Sequence, residues 1–250
     1  AGIPAAAGVR SALLAEEGLT GPPTVLEGNK GFCRVWVDNP RIEMLTTDLG
    51  SKWLMMDTSI KPYSCCGLIH TSLDILDRLR AEQGLRAEDV DEIFVGTSVQ
   101  TRHHVGVIRE PENVLAAQFS IPFSVAVNLI HGNNRIGDYR EEDLHDQRFR
   151  ELASRVVVEV DDAMEREYRN GNTLATKMRL KLRDGRVIDE YSDVVRGTPE
   201  RPMTHAEVQD KFRTLVDGVI PAGQAERIVE SVYAIESLRS TTKLVRLLVA

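Results

Sequence analysis

The sequence predicts an α+β fold, with helical pieces at both ends flanking a mixed insert that holds a small sheet. Three observations carry that prediction. Apolar residues recur at helical spacing near both ends, the period switches to two over residues 156–182, and Asp184-Gly185 is a hairpin signal ahead of a partner strand. The 250 residues are 42% hydrophobic and 28% charged, enough for a sizeable core and unlike a disordered chain.

In order along the chain, residues 5–18 read as a helix that Gly18 stops. Ala5, Ala6, Ala7 and Gly8 lead into Val9, Ala12, Leu13 and Leu14, an apolar stripe that needs a partner surface. Gly21-Pro22-Pro23 and the pair Gly28 and Gly31 mark turns. Residues 40–48 suggest a short helix from Pro40, and residues 53–56 a strand-like run. Pro62 disfavours helix at Lys61, after which Leu68, Ile69, Leu73, Leu76 and Leu79 repeat at helical spacing up to Gly84.

Residues 90–99 suit a buried strand, and residues 113–130 a small-faced helix interrupted by Pro122. A short helix with an acidic start follows at 141–152, then a strand at 156–160. Residues 173–182 alternate Thr176, Met178, Leu180 and Leu182 with Lys177, Arg179 and Lys181, giving one buried and one wet face. With the return at 187–195 the sheet reads as meander-like. Thr204 and Glu207 form a capping box ahead of Val208, Phe212 and Leu215, and Pro221 opens a last helical stretch. Turn residues cluster near 58–61 and 197–202. The expected division is therefore residues 1–58 and 200–250 as helical pieces that belong together, with 59–199 as the α+β insert.

With 38 acidic against 31 basic residues and a net charge of −7, nucleic acid and anionic membranes are disfavoured partners. The apolar runs are too short to span a bilayer, and no signal peptide is visible. Three cysteines, two of them adjacent, make a poor disulfide framework, so the reading is a cytoplasmic protein. The first helix reads like the middle of something. The expectation is the later part of a longer polypeptide, or one half of a split one.

The densest reactive group is Lys61-Pro62-Tyr63-Ser64-Cys65-Cys66-Gly67-Leu68-Ile69-His70, where a loop meets a helix N-terminus. Unpaired N–H groups and the dipole end there favour a carboxylate or phosphate, and Lys61 adds a full charge. His70 follows Cys66 by about one helical turn, so both can face one cleft. The competing reading packs Cys65 and Cys66 as small hydrophobes, with Lys61 solvated and His70 a satisfied surface residue. The Cys-Cys-x3-His spacing lacks the paired ligands of structural zinc, and no metal is assigned. No GxGxxG or P-loop supports a nucleotide. A second candidate, Thr101-Arg102-His103-His104, follows the 90–99 strand, where two imidazoles beside an arginine can bind and protonate a carboxylate; the alternative there is an exposed polar loop. The charge runs at 140–143 and 165–167 read as solvated and receive no role.

Four ordered segments resemble the MmgE/PrpD family. They are Gly18-Leu19-Thr20-Gly21-Pro22 with Leu26-Glu27-Gly28 and Gly31-Phe32; Lys61-Pro62-Tyr63 with Cys66 and His70; Ala117-Gln118-Phe119-Ser120-Ile121-Pro122-Phe123-Ser124-Val125-Ala126; and Gly197-Thr198-Pro199-Glu200-Arg201-Pro202 leading to Lys211-Phe212. Ser64 stands where that motif usually has Pro. The resemblance implies a large all-helical domain with an inserted α+β lid, residues 59–199 being the lid and the active site lying between the two. It implies a cofactor-independent lyase, a dehydratase or decarboxylase, acting on a small di- or tricarboxylate by proton abstraction next to a carboxylate. An isomerase or epimerase, or a non-catalytic subunit completing a split enzyme, is the alternative. Lys61, His103 and His104 are then the expected catalytic residues, and Tyr63, Cys66 and His70 the substrate-binding ones. A dimer or higher oligomer is expected, with a second polypeptide or an N-terminal half completing the site.

Overall fold

The computed structural model describes residues 2–172 and 174–249, and the chain divides into two units, one up to Leu54 and one from Met55. The first unit holds helix α1 (Gly2–Glu16) and the short helix α2 (Phe32–Trp36). Helix α1 ends ahead of Gly18, whose φ of +95° is open to a residue without a Cβ. Every described residue of α1 is exposed, its apolar stripe included. The short helix expected over 40–48 shrinks to a 3₁₀ turn at Ile42–Leu45. The strand-like run at 53–56 is instead part of an exposed 3₁₀ turn, Leu54–Asp57: it pairs with no strand, and apolar character alone does not make one.

The second unit opens its core with helix α3 (His70–Gln83), reached through a 3₁₀ turn at Gly67–Ile69 and closed by Gly84 at φ +68°. Strand β1 (Val90–Thr97) follows, then α4 (Val99–Thr101) running into a π-turn at Arg102–Gly106. The helix expected over 113–130 is two, α5 (Val114–Ala117) and α6 (Ile121–His131). Pro122 starts α6 rather than interrupting it. Its missing N–H falls in the first turn, where Ser120 caps the Phe123 N–H at 3.1 Å.

Helix α7 (Gln147–Ser154), strand β2 (Val156–Val160), helix α8 (Asp162–Arg169) and strands β3 (Thr176–Leu182) and β4 (Val187–Ser192) come next. Helices α9 (His205–Val216), α10 (Ala222–Tyr233) and α11 (Thr242–Leu247) end the described chain. The Thr204–Glu207 capping box forms as the sequence requires.

The sheet runs β2-β1-β3-β4 and is not a meander. Strand β2 pairs parallel to β1, Val95 facing Val158, because helices α4 to α7 supply the long crossover that parallel strands need. Strands β3 and β4 form the expected hairpin, turning at Gly185 with φ +89°. On β3 the alternation holds: Thr176, Met178, Leu180 and Leu182 are buried, and the intervening residues are wet. The core lies between this sheet and helices α3 and α6, around Ile69, Leu73, Ile93, Phe123 and Leu180. The fold of this unit is α+β.

Candidate functional site

Residues 60–66 form neither helix nor strand and bend at 62–65; Pro62 disfavours helix at Lys61, and partners distant in sequence hold the segment. The Ile60 N–H donates to Gly197 O at 2.8 Å, the Ser64 N–H to Asn134 O at 2.8 Å, and the Cys66 N–H to Gln118 O at 2.9 Å. The Gln118 side chain returns an N–H to Ser64 O at 2.8 Å, and Lys211 Nζ of α9 donates to Lys61 O at 2.6 Å. Gly197 sits at φ +93°, and a Cβ there would collide with the Ile60 carbonyl. Only glycine lets the two backbones meet this closely.

Tyr63 anchors the segment from below. Its buried hydroxyl lies 2.7 Å from Asp74 Oδ1 and 2.8 Å from Asp77 Oδ2. Burial, and then the negative charge of Asp77 and Asp74, drive the phenol pKa upward, so it stays protonated. Asp74, itself buried, also accepts from the Arg196 N–H at 2.9 Å and from Arg201 at 3.3 Å. Asp77 is paired with Arg80 at 2.7 Å and receives Asn128 Nδ2 at 2.9 Å. The Arg196 guanidinium sits 5.5 Å from the centre of the Tyr63 ring.

Above this clamp, Lys61, Ser64, Cys66, Gln118, Phe119 and Lys211 line a depression of about 360 Å³. Lys61 Nζ donates to Cys65 O at 3.3 Å, which leaves two ammonium N–H groups for a ligand. Cys66 reaches the depression half-buried. Cys65 is buried, and desolvation pushes its thiol up to about 12.

His70 does not share the cleft with Cys66. It is buried with Nε2 3.4 Å from Cys65 O and its ring edge-on to Tyr63, centroids 5.2 Å apart. Burial pushes it down to about 4, so it is neutral near pH 7. Tyr63 lines the depression, but its hydroxyl is committed to the two aspartates. His103 and His104 stand exposed on the π-turn, where Gly106 packs against Val158, and neither lines the depression. His104 Nδ1 lies 3.0 Å from Gln100 O. The structure thus gathers Lys61, Tyr63, Cys66 and the backbone at Cys65, and keeps the histidine pair apart from them.

Gln118 and Lys211 line the depression without being among the expected site residues. Both stand in segments that resemble the family, and Lys211 also lies between Val208 and Leu215 on the apolar stripe of α9, where a lysine is itself a signal. The charge runs also do more than face solvent. Asp143 is buried and holds His131 Nε2 at 2.8 Å, while Glu165 accepts the Val99 N–H at 2.9 Å at the start of α4. Among the described residues no three His, Cys, Asp or Glu gather as a metal-binding group, and no helix is long and apolar enough to cross a membrane.

The α+β unit thus carries a depression lined by two lysines and by no acidic residue, beside a second pocket that shares Lys211 and is lined by Asp77, Glu207 and Asp210. The profile of the MmgE/PrpD C-terminal domain matches residues 63–236, and the chain belongs to that family. A cis-aconitate decarboxylase of Aspergillus terreus is 26% identical over 264 residues, covering 99% of this chain and 53% of the relative. The human cis-aconitate decarboxylase is 23% identical over 250 residues, 96% of this chain and 50% of its own length. The mouse enzyme of that name is 22% identical over 249 residues. The chain spans about half the length of the curated relatives it matches.

Proposed function

We propose that this chain carries part of the active site of a lyase, a decarboxylase acting on a small tricarboxylate of the cis-aconitate type, with Lys61 binding a substrate carboxylate. The observation that supports the reading most is the Lys61 ammonium: it is held by backbone alone, on a depression whose lining includes no acidic residue. When CO₂ leaves, the electrons of the broken C–C bond spread toward a neighbouring carboxylate, and a proton later returns to carbon. A fixed cation stabilises that developing charge. Cys66 and Gln118 line the same floor and orient the substrate, and the Tyr63 clamp keeps the lysine segment in place.

The remaining acid/base groups are read as coming from polypeptide outside these residues, in a dimer or higher oligomer that needs no metal or organic cofactor. The two-part division of helical pieces around a lid at residues 59–199 belongs to the same proposal.

The test is product analysis by mass spectrometry after incubating the intact protein with cis-aconitate. Loss of CO₂ supports the reading; gain of water across the double bond, the reverse of a dehydration, or an unchanged mass with altered double-bond geometry, replaces it with the dehydratase or isomerase alternative. Lys61→Ala is expected to lower kcat/KM by about 10²–10³ with an unchanged circular dichroism spectrum. Wild-type turnover by that variant overturns the assignment of Lys61.

A further inference from the structure

We infer that Lys61 and Lys211 act together as a two-cation subsite that selects a ligand with at least two carboxylates. This deepens the reading above and rests on it for the nature of the ligand. Both lysines line the one depression, from the loop ahead of α3 and from α9, 150 positions apart in sequence. Each spends one donor on the backbone of residues 61–65: Lys61 Nζ on Cys65 O, and Lys211 Nζ on Lys61 O. Two N–H groups remain on each.

Neither ammonium has a carboxylate within 4.0 Å among the described residues, whereas Arg80, Arg135 and Arg196 nearby are each paired with Asp77, Asp210 and Glu207. The arginines are neutralised locally and the two lysines are not. Burial and the charge of Lys61 both push the Lys211 pKa down, the cost of crowding two cations without a counterion. A bound dianion removes that cost. Phe119, Ile136 and Leu215 on the same wall offer an apolar flank for the carbon skeleton between two carboxylates. A monocarboxylate satisfies one lysine and leaves the other unpaired. The subsite therefore discriminates by charge count.

Calorimetric titration of the intact protein with tricarballylate, a saturated tricarboxylate, and with butyrate tests this without requiring turnover. Tricarballylate is expected to bind at least tenfold tighter than butyrate. Lys211→Gln is expected to remove that preference by weakening tricarballylate alone, and Lys211→Arg to retain it. With Lys211→Arg, the weakening of binding at alkaline pH moves to higher pH, which loss of a merely structural contact would not produce. Equal affinity for the two acids, or tricarballylate binding unchanged in Lys211→Gln, overturns the inference. If Lys211→Gln melts below the wild type, Lys211→Met together with the arginine variant decides, because the charge and not the length carries the claim. Tight, Lys211-dependent binding without decarboxylation would sink the proposed reaction and leave the subsite standing. Decarboxylation with no Lys211 dependence would do the reverse.

Discussion

Helices α1 and α3 are nearly equal in length, fifteen and fourteen residues, yet α1 buries none of its side chains and α3 buries eight. By composition the order should be reversed. Helix α1 carries Ile3, Val9, Leu13 and Leu14 among alanines, while α3 buries His70, Thr71, Ser72 and Asp74 alongside its leucines. What separates them is the surface they face. Helix α3 lies against α6 and strands β3 and β4, and its buried polar groups, the Ser72 hydroxyl excepted, find partners there or in the loops beside it. Thr71 meets Thr176 at 2.8 Å, and Asp74 collects Tyr63, Arg196 and Arg201. Apolar residues bury only where a facing surface exists, and polar residues bury where their hydrogen bonds are met.

The sharpest way to break that contrast is to remove the hub of α3. Asp74→Ala takes away the acceptor shared by the Tyr63 hydroxyl, the Arg196 N–H and Arg201, three charge-assisted hydrogen bonds, a loss of about 3–5 kcal/mol although Asp77 remains for Tyr63. Urea denaturation of the intact protein measures it; a loss below about 1 kcal/mol would mean that water readily takes the place of the aspartate. A somewhat smaller effect comes from acid. His70 has its pKa pushed from 6.5 down to about 4 by burial, so the unfolded chain takes up this proton before the folded one does. Stability is undiminished above pH 6.5 and falls by on the order of 3 kcal/mol as pH drops to about 4. Denaturation midpoints across that window read the slope, which His70→Gln should flatten. The smallest effect belongs to the other helix: Leu13→Ser changes the stability of the isolated chain by less than about 0.5 kcal/mol. A larger drop on thermal melting would show that α1 is covered after all.

The sequence resolved local order better than it resolved pairing. Helix α3, the β3–β4 hairpin and the α9 capping box each follow from spacing within about a dozen residues, and each stands as read. The parallel pairing of β1 with β2 did not follow, because alternation marks a strand's faces and not its neighbour. Pro122 was legible as punctuation but ambiguous in sense, since a proline serves a helix start as well as it breaks a helix interior. At the site, Lys61, Tyr63 and Cys66 were found through their crowding in one segment. His70 was placed in the same cleft by counting one turn, but the 3₁₀ turn at Gly67–Ile69 intervenes and the ring points into the core. Lys211 was hidden by distance: nothing local ties residue 211 to residue 61.

The backbone bonds around Lys61 also fix a timetable. Ile60 waits for Gly197, Ser64 for Asn134, Cys66 for Gln118, and the Lys61 carbonyl for Lys211. During synthesis the lysine segment therefore leaves the ribosome long before the residues that hold it in place. The Gln118 and Asn134 bonds can form early, but those to Gly197 and Lys211 close much wider loops, which is slow. A nascent chain halted before residue 197 has its hairpin and the partners of Ser64 and Cys66, but neither of the groups that hold Ile60 and the Lys61 carbonyl. The pair of lysines is complete only once α9 has been made.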